Sequence, residues 1–114
     1  HCGAIEANIK GLENFKKFIR CNCSLCKRKG AVMGMVKNED FTITKGENNL
    51  SLYQFHTKVA KHYFCSICGI YTHHHPRSNP AMTGFNLGCL DDIDTFNIKD
   101  ILINDGLHHP LDNN

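Results

Sequence analysis

No run in this 114-residue sequence approaches the roughly 18 consecutive apolar residues that a membrane-crossing helix needs. The visible start, "HCGAIEANIK", has no basic segment leading into an apolar block. A soluble, cytoplasmic protein with no membrane partner is expected. Charge of one sign is also scarce: 13 Lys and Arg against 11 Asp and Glu leave a formal net charge of +2. That is too mild to argue for nucleic acid or an anionic membrane, and no basic patch interleaved with aromatics appears. Nothing repeats at a fixed period, no segment is of low complexity, and no Pro-, Gly- or Ser-rich linker divides the chain. One domain over residues 1–114 is expected, long enough to bury roughly two-thirds of its extended surface.

What the sequence does have is sulfur. There are seven cysteines, at Cys2, Cys21, Cys23, Cys26, Cys65, Cys68 and Cys89. An odd total cannot pair completely, and a Cys21–Cys23 bridge would close a very tight ring, so a disulfide framework explains the spacing poorly. Metal binding in a reducing compartment explains it better.

The apolar runs are short and separated by turn residues, as in a sheet protein: "CGAIEANI", "DFTITKG", "LSLYQF", "KHYFCSICGIYTHH", "MTGFNLGCL" and "DILINDG". Phe41 and Ile43 alternate with Thr42 and Thr44 before Lys45-Gly46 turns the chain. Further turns are expected at Pro76 to Pro80 and at Asp105-Gly106. The fold class is therefore mainly β and largely antiparallel. Helical signals are weaker: Ser24 is placed to cap a short turn through Lys27-Arg28-Lys29, and "DDIDTFNIKD" is expected to hold another. Leu12, Phe15 and Ile19 have a spacing that permits a short amphipathic helix without requiring one.

Zinc takes about four ligands in a tetrahedron, and a Cys-x-x-Cys turn puts two thiolates on one side of it. "FCSICG" supplies Cys65 and Cys68, with Gly69 free to adopt the left-handed turn behind them. Cys2 is the candidate for a third thiolate. Cys21, Cys23 and Cys26 form a second cluster, Cys-x-Cys-x-x-Cys. Three protein ligands are the arrangement of a catalytic zinc that keeps one position for water or substrate. The competing reading is a second structural zinc completed by a histidine. Cys89, alone, reads as a buried structural thiol. In His73-His74-His75, neighbours on a strand point to opposite faces, so at most His73 and His75 share a site. His56, His62, His108 and His109 read as packing or surface residues. Lys27-Arg28-Lys29, next to the thiols, is either a solvated basic turn or a lure for an anionic substrate.

The combined pattern resembles the glutathione-dependent formaldehyde-activating enzyme family, which also includes centromere protein V. "HCGAIE", "RCNCSLCKRKGAVM", "LSLYQFHTKVAKHYFCSICGIYTHHHPRSNP", "GFNLGCLDD" and "DGLHHP" carry the resemblance over most of the chain. It implies a β-tent, a folded-over pair of antiparallel sheets, with a four-thiolate structural zinc to which Cys2, Cys65 and Cys68 belong. The family opening reads Cys-His-Cys-Gly, whereas this sequence is read from His1; an upstream cysteine, water, the terminal amine or His1 then completes that site. The resemblance also implies a second, catalytic zinc on Cys21, Cys23 and Cys26, hence two zincs per chain. The implied reaction is condensation of glutathione with formaldehyde to S-hydroxymethylglutathione, a carbon-sulfur lyase reaction in reverse. Three thiolates leave the metal electron-rich, which favours binding the substrate as thiolate with the carbonyl attacked beside it. Arg77 and Lys27 are candidate partners for a substrate carboxylate, and Cys89 for a place near the second zinc. The alternative is a non-catalytic zinc module that binds a protein partner on the same scaffold.

Overall fold

The alternating segment does form a strand, β4 (Phe41–Lys45), paired antiparallel with β1 (Glu6–Ile9) so that Ile9 faces Phe41 and Ala7 faces Ile43. The computed structural model describes residues 1–12 and 17–108; Phe15 and His109 lie outside them. Among the described residues nine strands form two sheets, and β1–β4 is the smaller. The larger runs in the order β5 (Leu50–Tyr53), β6 (Lys61–Cys65), β7 (Tyr71–His75), β8 (Met82–Asn86), β3 (Met33–Lys37), β2 (Ile19–Cys21) and β9 (Leu102–Asn104). The expected mainly β fold of two sheets is present. Its neighbours are antiparallel with one exception, since β9 lies parallel to β2.

Two strands, β2 and β3, are absent from the runs that the sequence marks as apolar. β3 ("MGMVK") lies in the middle of the sheet with Met33, Gly34 and Val36 all buried. Burial on both faces removes the alternation that announces a half-exposed strand, and Gly34 lowers the propensity further. Ile19, whose spacing permitted a helix with Leu12, instead opens β2. The turn from Pro76 to Pro80 joins β7 to β8, and Asp94 caps a short 3₁₀ turn over Thr95–Asn97 through the Phe96 N–H, as expected of those stretches.

Strand periodicity gives the larger sheet two different faces. On one, Val36, Phe85 and, just beyond β8, Leu87 are buried against Ile9, Leu12, Phe18 and Phe41, which joins the two sheets. His73 belongs to this side, its ring 4.7 Å from Phe41 and stacked 4.6 Å from Tyr63. Burying side chains the size of Phe85 and Leu87 contributes about 2–3 kcal/mol each. The other face carries Met33, Met35, Met82, His62 and His74, and these line a cavity of about 580 Å³. Helix α1 (Ser24–Lys29) and the segment after β9 close its side. No helix of the described residues is long and apolar enough to cross a membrane.

Candidate metal centres

Cys65 ends β6, and Cys68 follows in a tight turn in which the N–H of Gly69, at φ 79°, bonds the carbonyl of Cys65. Cys2 reaches the same place from the start of the chain: its Sγ lies 3.7 Å from that of Cys65. The approach is fixed by Gly46, also at φ 79°, whose missing side chain leaves space for the carbonyl of Ala4. The Sγ atoms of Cys2, Cys65 and Cys68 all lie within 4.8 Å of one another. Tetrahedral zinc with Zn–S near 2.3 Å puts its sulfurs about 3.8 Å apart, so the donor set and its spacing fit zinc. The N–H of Ile70 and then that of Cys2 lower the Cys68 thiol to about 6, toward the thiolate that a metal binds.

Cys21, Cys23 and Cys26 form the second group, with the same 4.8 Å limit on their sulfurs. Here the chain turns from β2 into α1. Cys23, rather than Ser24, is the N-cap: its Sγ accepts the N–H of Cys26 at 3.3 Å, because a cap must precede the first helical residue and Ser24 is already inside. The N–H of Cys23 is directed to the Sγ of Cys21 at 3.5 Å, and the Asn104 amide approaches that sulfur at 3.7 Å. Hydrogen bonding from Cys26, followed by the Cys23 N–H, the Cys23 thiol and Asn104, outweighs burial and lowers Cys21 to about 5. The same bond, with burial, pushes Cys26 up. A β-carbon on Gly106 would stand 2.6 Å from the Cys21 sulfur and 2.7 Å from the Cys23 β-carbon, so the backbone after β9 closes directly over this nest of sulfur. Three thiols in one compact nest, with donors on one sulfur, also fit zinc. Among the described residues no fourth His, Cys, Asp or Glu joins either group.

The two groups differ in what they face. Cys21, Cys23 and Cys26 all line the 580 Å³ cavity, together with Phe55, Ala60, His62, His74 and Arg77. Cys2 and Cys65 instead face the cleft between the two sheets. Cys89 is on that side too, and it is exposed rather than the buried thiol its solitude suggested, because it ends the short 3₁₀ turn Leu87–Cys89 at the surface. It does not join the second thiol group, and its Sγ approaches the carbonyl of Tyr71 at 3.6 Å. Lys27 and Arg28 are exposed on α1, whereas Lys29 folds inward, its Nζ 3.6 Å from the centre of the Tyr71 ring and 3.4 Å from His62 Nδ1. Arg77 lines the cavity and Lys27 does not.

The histidines sort by strand face. His73 and His75 do share a side, with rings 6.1 Å apart, but it is the side of Tyr63 and not of the cavity. His74 and His62, cross-strand partners with rings stacked 5.5 Å apart, face the cavity. His62 is thus a buried cavity residue. His56 also reaches the cavity, and His108 is exposed beside Asp105. Sequence spacing carries no sign of Asn104 or Gly106 at the thiols or of His62 on the cavity wall; the strand alternation of the triple histidine is the one available signal for His74.

A small β fold with two three-cysteine clusters, one of them on a cavity wall, defines a class of domain whose thiol groups could hold metal ions. The family model described as glutathione-dependent formaldehyde-activating enzyme matches residues 1–102, and the chain belongs to that family. A crystal structure of a Rhodobacter sphaeroides protein is similar at 41% identity and a TM-score of 0.85, covering 91% of this chain and 95% of that one.

Proposed function

We infer that the chain is a zinc-dependent enzyme that makes or breaks a carbon-sulfur bond in a small thiol adduct, with glutathione and formaldehyde as the pair that family membership favours. The observation that carries this reading is the position of Cys21, Cys23 and Cys26 together on the wall of a 580 Å³ cavity. That volume lies in the range of small-molecule sites. In this reading Cys2, Cys65 and Cys68 hold a structural zinc and Cys21, Cys23 and Cys26 a catalytic one. When bound, zinc supplies thiol acidification and carbonyl polarisation.

The chain's own residues do the rest. Asn104 and the Cys23 N–H hold the Cys21 sulfur in place. Met33, Met35, Phe55, Ala60 and Met82 give the cavity an apolar lining. Arg77 on the wall offers a cation to a substrate carboxylate. The alternative of a protein-binding zinc module is disfavoured by the cavity itself, since a purely structural cluster has no use for one.

Cys23→Ser tests the assignment cleanly, because serine is also a good N-cap and leaves α1 its first hydrogen bond. The variant is expected to stay folded by circular dichroism, to lose one zinc by metal analysis, and to lose turnover of thiol and aldehyde by at least about 100-fold. Unchanged turnover would remove the thiol cluster from the chemistry.

A further inference from the structure

Behind the thiols lies a second group of polar side chains that metal binding does not use: Tyr71, His74, His62 and Lys29. Tyr71 and His74 are three apart on one strand and should point to opposite faces. They meet because the β6–β7 register slips: Tyr63 pairs with His73 but Phe64 pairs with Tyr71, leaving Thr72 as an extra residue. Such a bulge turns Tyr71 onto the face of His74, and its hydroxyl lies 2.5 Å from Nδ1 of His74. Gly84 opposite His74 has no side chain, and a β-carbon there would collide with the imidazole. The ring is therefore held from three sides, by Tyr71, Gly84 and the stacked His62. The Tyr71 ring in turn packs against Cys26 and Met33.

This clamp selects one form of the imidazole. A phenol is a stronger acid than a neutral imidazole N–H and so the better donor of the two, which favours a phenol proton on the bond to Nδ1. The one ring proton of a neutral His74 is then on Nε2. Burial, with the nearby Lys29 charge, holds His74 neutral down to about 3, so this form persists across the working range.

Resting on the carbon-sulfur reading above, we propose that His74 is a catalytic hydrogen-bond donor, its Nε2–H directed at the aldehyde oxygen of the adduct, with Tyr71 as the positioning residue that fixes its tautomer. In the step served, a thiolate lone pair forms the C–S bond and the C=O π pair moves onto oxygen. The oxygen is then protonated by cavity water, which is regenerated by the proton the thiol released. His74 gives up no proton; it stabilises charge as it develops on oxygen, a role for which a preorganised neutral donor is suited.

The test uses the zinc-loaded full chain. Long-range proton–nitrogen NMR correlation on uniformly labelled protein is expected to show a pyrrole-type Nε2 and a pyridine-type Nδ1 for His74, and Tyr71→Phe to lose that bias. With glutathione and formaldehyde, His74→Ala is expected to lower kcat about 100-fold with the KM for thiol nearly unchanged and both zincs retained. Tyr71→Phe is expected to lower kcat about tenfold, as loss of a histidine's orienting partner does elsewhere. His74→Gln, which restores an N–H at similar reach, is expected to recover part of the loss. A wild-type Nδ1–H tautomer, or full kcat in His74→Ala, overturns the proposal while leaving the enzyme reading intact. Wild-type protein with two zincs and no turnover of the pair overturns both.

Discussion

His73 shows what burial does to a titratable ring on the side of the sheet away from the cavity. It is 5% exposed, stacked on Tyr63 and tilted against Phe41, with His75 edge-on and Thr72 Oγ1 2.9 Å from its Nδ1. Burial, then the proximity of His75, lowers it to about 4. Between its ordinary value near 6.5 and this folded value the unfolded chain binds a proton that the folded chain refuses. Stability contributed by the neutral ring is thus present above about pH 6.5 and is lost as pH falls toward 4. His73→Phe keeps the stacked ring without the titration, and Thr72 keeps its bond to the Tyr63 carbonyl. Urea unfolding of the variant should show a loss between pH 6.5 and 5 smaller than wild type by about 1–2 kcal/mol. An equal loss in both proteins would place the acid sensitivity elsewhere.

Among elements, β9 and the backbone after it do more than extend a sheet. β9 aligns Asn104 with Cys21 in the parallel pairing with β2, and Asn22 is bonded from both sides: its N–H to the Asn104 carbonyl and its Oδ1 by the Leu107 N–H. Gly106 then passes close over Cys21 and Cys23. Gly106→Ala should therefore push this segment off the sulfurs. Metal analysis should show the zinc content falling from two toward one, with the fold retained by circular dichroism; two tightly held zincs would show that the backbone yields without cost. This cover was not legible in the sequence. "DILINDG" reads as a strand and a turn, but which strand it joins, and that it joins in parallel, depends on pairing across more than 80 residues. The same holds for the Thr72 bulge and for β3, whose burial on both faces hides its period. What local spacing does carry is the thiol chemistry, because Cys-x-x-Cys and Cys-x-Cys-x-x-Cys bring their sulfurs together within one turn. The helix start lies one residue before the place propensity favours: serine outranks cysteine as a cap, yet here the sulfur of Cys23 does the capping.

At the scale of the molecule, the two thiol groups differ in what they join. Cys2, Cys65 and Cys68 tie the chain's start to the β6–β7 turn at the join of the two sheets, whereas Cys21, Cys23 and Cys26 lie within one local turn. A metal that bridges distant segments stabilises the fold by binding only the folded chain, by up to about 10 kcal/mol. Cys65→Ala, at a position only 3% exposed, is expected to lower the apparent Tm by more than about 10 °C in scanning calorimetry. Cys23→Ser should barely move it. Equal losses from both substitutions would mean that the centres are not separable into scaffold and site.

The lid over the second sulfur nest has a consequence in time. A ribosome adds Asn104, whose amide approaches Cys21, 83 residues after that cysteine. A nascent polypeptide therefore carries these three thiols without that cover while the intervening segment is made. If Cys21, Cys23 and Cys26 hold a metal as proposed, its durable loading follows the synthesis of β9 and Gly106.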